Sequence, residues 1–385
     1  MKISFIKYNS FLVAFYSYFY VFTRIFQIFD LNDNYKYFLL LSLCPIIFEI
    51  KNLNFKFLKI IFVFLIIILI NLSLTKASLG QIIFHIKDIF YGISAGIIGS
   101  LKIKKSYLEK NIKVFSYVNI LVHSYIIFFN RSIYYEKMDY MVFGYAILQS
   151  TIFLIYILLK SKKKSAIDFL VTIYSLIIIL LFGNRFALLI GFISCLILYW
   201  YYEKNKLKKF IMYFIMLINF VFLYLNLKII LIYLNDIFIK MNYKVYGIIR
   251  LIESLNLKER SGDITSGRMN IYMEAIEIIR KNLFGIGIWG YLFEVKSKWL
   301  ALGYYPHNVF IEIGMHWGII GLILFILFLI KIGYKILKLP NSNYKFFLIA
   351  LLLLNLKLLV SDTYIAYKMF WLFFAVYFNN SYKEE

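Results

Sequence analysis

Apolar runs of about 20 residues recur along the whole chain, separated by short polar connections rich in lysine. A helix of that length crosses a hydrocarbon core of roughly 30 Å. In lipid only helices and closed barrels satisfy their own backbone groups. The pattern predicts spans over 11–29, 37–50, 57–74, 79–100, 113–130, 139–159, 166–182, 186–202, 210–234, 307–330, 346–360 and 363–378. The second is short and the fourth only weakly apolar. The predicted fold is all-α, a polytopic transmembrane helix bundle of about twelve spans. No internal repeat, linker or soluble appendage interrupts it, so residues 1–385 read as a single transmembrane domain.

Composition agrees with the pattern. Of 385 residues 62% are hydrophobic and 21% aromatic, and only 16% are charged, against about 25% charged in soluble domains. A net charge of +23 would suggest nucleic acid in a soluble protein. Here the basic residues sit in short connections beside apolar runs, which points to membrane lipids and to no nucleic-acid partner. Alternate connections, starting with the one holding Lys2 and Lys7, carry 23 lysines. The short connections between them carry six basic residues: Lys36, Lys76, Arg131, Lys137, Arg185 and Lys368. The positive-inside rule then predicts both termini in the cytoplasm of a bacterial inner membrane. The first run is long, aromatic and followed by no small-residue cleavage site, so it reads as an uncleaved span. Cys44 and Cys195 fall inside apolar spans, as packing residues without a disulfide or metal site.

The exception to short outer connections is residues 235–306, a loop of mixed polarity. Long loops are where function tends to be carried. Val245, Ile248, Ile249, Ile252 and Leu255 recur at helical spacing and predict a helix lying at the membrane surface. A second helix is predicted from Thr265-Ser266-Gly267-Arg268 to about Lys281, with Ser266 as N-cap and Met269, Tyr272, Ile276 and Ile279 as its apolar stripe. Arg268 then lies in the first turn, where free N–H groups, the helix dipole and a bidentate guanidinium suit a diphosphate. An arginine snorkelling to headgroups fits the same spacing. Gly285-Ile286-Gly287-Ile288-Trp289-Gly290 matches G-x-G-x-x-G literally. It follows a helix rather than a strand, so it reads as a tight turn and not as a dinucleotide site.

Tyr304-Tyr305-Pro306-His307-Asn308 precedes the next span. Proline suits a helix start, which predicts His307 in the first turn, kept neutral by the helix terminus and able to act as a base. An interfacial histidine packed with Tyr304 and Tyr305 is the plainer alternative. Gly183-Asn184-Arg185 forms a tight outer hairpin, and a border arginine is a functional candidate by default. Arg24 and Arg131 are weaker candidates. Lys87-Asp88, near His85, reads as a self-neutralising pair facing the bundle interior. Asp30 and Asp33 lie in the first outer connection.

In their order, Ser266-Gly267-Arg268, Leu283-Phe284-Gly285-Ile286-Gly287, His307-Asn308, Glu312 and Gly318-Ile319-Ile320-Gly321 resemble the O-antigen polymerase and ligase family. Asn184-Arg185-Phe186-Ala187 looks like that family's other arginine, with Asn184 where serine is often found. The resemblance implies a metal-independent glycosyltransferase without cofactor. Its donor would be an undecaprenyl-diphosphate-linked glycan, and its large loop and site would be periplasmic. Arg268 and Arg185 would hold the diphosphate and His307 would act as base, with Ser266, Tyr305 and Asn308 as further substrate contacts. A repeat-unit polymerase, acting on a lipid-linked acceptor with a possible chain-length regulator as partner, is the favoured reading. A ligase to lipid A-core shares the donor chemistry. A lipid-linked oligosaccharide flippase is the alternative from another class, and a metal-using transferase would depend on Asp30 and Asp33.

Overall fold

The computed structural model of the chain describes residues 5–29, 53–72, 79–130, 140–161, 165–240, 268–291 and 306–382, with isolated positions between them. The predicted span 37–50, most of the predicted surface helix around 245–255, and Asp30, Asp33, Cys44, Arg131, Ser266, Tyr304 and Tyr305 lie outside the described residues.

The helices are α1 (Phe5–Ser17), α2 (Phe19–Ile28), α3 (Phe55–Leu72), α4 (Leu79–Gly99), α5 (Lys105–Phe129), α6 (Tyr140–Lys160), α7 (Ala166–Phe182), α8 (Arg185–Tyr202), α9 (Lys206–Lys240), α10 (Arg268–Lys281), α11 (Val309–Lys338), α12 (Asn343–Asn355) and α13 (Lys368–Phe378). Every predicted span within the described residues contains helix, though 363–378 is helical only from Lys368 and 346–360 ends in a 3-10 turn. Among the described residues five helices, α3, α5, α6, α8 and α11, are long and apolar enough to cross a membrane. They become six if α1 and α2, which break at Tyr18, are one span. At 35 residues α9 runs past the predicted end at 234, and its roughly 50 Å exceed a hydrocarbon core.

The described residues group into two compact units. The first draws on residues 1–17, 45–105 and 265–385, and so holds α1, α3, α4 and α10–α13. Its tightest pairing is α4 with α13. A Cβ on Gly92 would stand 2.0 Å from the Ile365 carbonyl oxygen, and one on Gly99 2.7 Å from a Leu372 methyl. Small residues on one face let helix backbones approach where burial of oil against oil gives little drive. Lys87 of α4 lies on the exposed side of the helix, not the interior side expected for it.

The second unit, residues 18–44 and 106–264, holds α2 and α5–α9, apart from the first residue of α5. Helix α6 is its centre, buried continuously from Phe143 to Tyr156. Polar side chains stitch its neighbours to it. Asn119 donates to Ala146 O (2.8 Å) and to Ser150 (2.7 Å), and Thr151 donates to Ser175 (2.9 Å). At one end of the unit buried Asp168 pairs with Lys113 at 2.7 Å and accepts from Tyr117, while Glu109 pairs with Lys160 and accepts from Tyr156. Each of these two carboxylates is thereby paired with a cation.

Back in the first unit, α11 is not a continuous helix. Gly318 adopts φ +71, ψ −174 in its interior, a conformation open essentially to glycine alone. The chain of the glycine-rich turn crosses at that break. A Cβ on Gly318 would lie 1.9 Å from the Leu283 carbonyl oxygen, and one on Gly285 2.5 Å from that of His316. Backbone therefore lies on backbone. Gly318→Ala should lower the thermal unfolding midpoint of the purified chain in detergent, at a cost of about 2–4 kcal/mol from strain and overpacking. Gly333→Ala, on the same helix with open space around it, should leave the midpoint within a degree or two of the parent.

Candidate functional site

Arg268 is the first residue of α10, where the sequence predicts it. Of the expected stripe Ile279 packs on α11 and Tyr272 is half-buried, while the fully buried positions lie beside it. Ile271 and Ala275 are buried, and a Cβ on Gly314 of α11 would meet the Ile279 side chain at 2.7 Å. Met269 and Ile276, expected inside, are 56% and 39% exposed. The helix carries two apolar stripes, and only the one that meets α11 is covered by protein.

After Lys281 the chain makes the turn predicted for the G-x-G-x-x-G match. Gly285 and Gly287 have φ +83, and Trp289 is also left-handed at φ +60. Three hydrogen bonds lock this turn into the break in α11. Ile286 N–H donates to Met315 O (2.8 Å), Asn71 Nδ2 donates to His316 O (2.9 Å), and Ile288 N–H donates to Asn71 Oδ1 (2.5 Å). Asn71, near the end of α3, thus joins three segments with one amide. Below the break Trp317 Nε1, which can only donate, reaches the Tyr364 hydroxyl at 2.8 Å. That hydroxyl also shares a hydrogen bond with His316 Nδ1 at 3.1 Å, and Tyr291 stacks on the imidazole.

His307 does not sit in the first turn of its helix, as the Pro306 signal suggests. Asn308 is the N-cap: its Oδ1 accepts from Phe310 N–H (3.0 Å) and Ile311 N–H (3.2 Å), and its Nδ2 donates to Leu359 O (3.1 Å). An asparagine outcompetes a proline-led start because it satisfies two free N–H groups. Val309 begins the span, and His307 lies outside it with a left-handed backbone at φ +52. Burial pushes its imidazole down to about 4, the Arg268 charge pushes the same way, and Asp362 opposes both. The ring is neutral at pH 7, as expected, but by desolvation and a neighbouring cation rather than by the helix terminus. Asn308, expected among the substrate contacts, engages both ends of its amide in fixing the segment that carries His307.

Beside His307 stands Asp362, which the sequence patterning does not single out, while nearby Glu312 figures there only as a motif residue. Asp362, left-handed at φ +69, pairs with Lys357 at 2.7 Å and accepts from Thr363 N–H at 3.0 Å. Buried Glu312, in the first turn of α11, accepts from the Thr363 hydroxyl and from Tyr364 N–H at 3.4 Å. A signal existed: Lys357 falls inside the predicted span 346–360, and a charge there marks a candidate by default.

Arg185 belongs to the second unit, and Arg268 and His307 to the first. It opens α8, behind the N-cap Asn184, whose Oδ1 accepts from Ala187 N–H at 2.7 Å and whose Nδ2 donates to Met141 O at 3.2 Å. Serine caps a helix equally well, so Asn184 keeps the local geometry that the family's serine would supply. The Arg185 side chain is exposed, and nothing among the described residues engages it.

The O-antigen ligase family model matches residues 170–326, about two fifths of the chain. That stretch runs from α7 into α11 and contains Arg185, Arg268 and His307, so the resemblance read from the motifs is borne out there. Members of that family are membrane glycosyltransferase-like enzymes, which gives a flippase no support. No curated protein matches the chain.

Diethyl pyrocarbonate acylates neutral imidazole, so its rate at His307 should stay high down to about pH 5 in the resting protein. Arg268→Gln removes a charge that depresses the imidazole and should move the midpoint upward; Asp362→Asn should move it downward. Peptide mapping after modification across a pH series checks both signs.

Proposed function

We propose that the chain is a membrane glycosyltransferase that polymerises surface-polysaccharide repeat units on the periplasmic face. Undecaprenyl-diphosphate-linked glycan is its donor, and a sugar hydroxyl of another lipid-linked unit is its acceptor. The observation that carries the reading is a neutral imidazole, His307, within electrostatic reach of Arg268 at the start of a helix, inside the stretch matched by the ligase family.

The acceptor hydroxyl oxygen attacks the anomeric carbon while the bond from that carbon to the diphosphate oxygen breaks. The hydroxyl proton passes to His307, and the electron pair leaves with the diphosphate. Attack in line with departure inverts the anomeric centre. Negative charge grows on the leaving group, so Arg268 stabilises the transition state more than the bound donor. Bidentate guanidinium geometry suits this better than a point charge. Donor binding also tunes the base: a diphosphate beside Arg268 offsets the charge that holds the imidazole down and returns its basicity toward the useful range.

A ligase that moves finished chains to lipid A-core uses the same donor and the same residues, and is the second reading because the matched family carries that description. The gel pattern of cell-surface polysaccharide from a deletion strain separates them. Loss of the ladder with one unit retained on lipid A-core supports the polymerase, and loss of every unit supports the ligase. His307→Ala should reduce transfer about 10²–10⁴-fold. Arg268→Lys, which keeps the charge and loses the fork, should also be severely impaired. A normal ladder from either variant sinks the corresponding assignment.

A further inference from the structure

At the far end of α3 from Asn71 the first unit contains a recess of about 400 Å³. Seventeen residues of helix separate the two positions, roughly 25 Å, so the recess lies at the opposite surface of the unit from the turn-and-break assembly. Lys56 and Lys102 line it, together with Asn54, Asn379, Asn380 and Ser381. Its volume falls in the range of small-molecule sites.

The walls are preformed. Asn54 Nδ2 donates to Phe378 O at 2.7 Å, while its Oδ1 accepts from Lys56 N–H at 3.1 Å. Asn379 Nδ2 donates to Leu101 O at 2.9 Å, and its Oδ1 accepts both Ser381 N–H and Ser381 O–H. Leu53 pairs with Leu101 across the floor. These groups hold one another and leave the lysines as the uncommitted part of the wall. Neither ammonium meets a carboxylate, carbonyl or ring among the described residues, and both side chains are exposed. The segments that build the recess, 53–59, 99–105 and 378–382, contain Lys56, Lys59, Lys102, Lys104 and Lys105 and not one Asp or Glu. Lys56 and Lys102, which line the recess, are thus available to an external anion. Phe55, 59% exposed beside Lys56, gives the rim an apolar flank.

We propose that this recess binds a phosphate group, with Lys56 and Lys102 as its charged contacts. Two ammonium groups lining one recess match a phosphoester's charge, and lysine is a common phosphate binder that imposes no fixed fork geometry. A mouth at the end of a membrane span places it where phospholipid headgroups stand, and basic clusters at such positions recognise anionic headgroups. The proposal is independent of the glycosyl-transfer reading.

The test uses the purified full-length chain in neutral detergent, titrated with phosphatidylglycerol or phosphatidylcholine and followed by native mass spectrometry. The expected result is one tightly held phosphatidylglycerol and no comparable phosphatidylcholine. Lys56→Gln with Lys102→Gln should weaken that adduct roughly tenfold or more. Lys206→Gln with Lys208→Gln, in another basic segment, should leave it intact. Glycerol 3-phosphate as competitor identifies the source: displacement at similar concentration means the headgroup chemistry alone suffices and a soluble phosphoester is the occupant. Failure to displace means a lipid is. Retention of the adduct by the Lys56/Lys102 variant, equal binding of phosphatidylcholine, or binding of neither phosphate-bearing probe overturns the site. Both variants should elute and unfold like the parent, since the altered side chains are exposed.

Discussion

The backbone of α11 is broken at Gly318, and peptide groups freed at membrane depth must find partners inside the protein. The loop supplies them. Met315 and His316 offer carbonyls that the helix no longer uses, and Ile286 N–H and the Asn71 amide take them. Because a side chain at Gly285 or Gly318 would collide with the opposing backbone, the two glycine motifs are one feature seen from both sides. That contact fixes the end of α10 to the middle of α11. Arg268 at the other end of α10 and His307 ahead of α11 are then held by the same joint, roughly 20 Å of helix on one arm and a capped helix start on the other. Precision in a pair of side chains rests on the rigidity of what carries them.

The electrostatics of that pair follow from burial. An imidazole half out of water beside a guanidinium has two reasons to refuse a proton and, in Asp362, one reason to accept it. Such a ring is ready to receive hydroxyl protons but is a weak base until something offsets the cation. On the proposed reading an anionic donor would do so by arriving, coupling binding to base strength through Arg268.

Sequence patterning located helices well and their faces badly. The apolar runs are long enough that their periodicity is not needed, so α3, α6, α7 and α8 fall within two or three residues of the predicted limits. In α10 both Ile271–Ala275 and Met269–Ile276 are apolar, and only the tertiary contact with α11 decides between them. The helix start at Val309 was misread because proline and asparagine both signal initiation, and the cap that bonds two N–H groups prevailed. Nothing local in the sequence singles out Asn71, since its partners lie more than 200 residues away in the chain. Lys357 and Asp362 were legible as charges but not as neighbours of His307. The arginine at 268 was legible because capping and dipole chemistry act within one turn.

Strain gives the last part of the argument. His307 and Asp362 both adopt left-handed backbones at φ +52 and +69 without being glycine, at a cost of about 1–3 kcal/mol each. Such conformations persist only where the surroundings over-determine them, and here they do. Asn308 reaches from beside His307 to Leu359, while Glu312 reaches from the first turn of α11 to Thr363 and Tyr364. The two strained residues are therefore clamped from before and after by bonds between the same two segments, and Lys357 holds Asp362 from its own side. A fold that only needed to cross a membrane would relax both positions to ordinary helix or turn geometry. Two strained residues at one charged corner fit the proposed reaction site, whose groups would then be in place before substrate arrives.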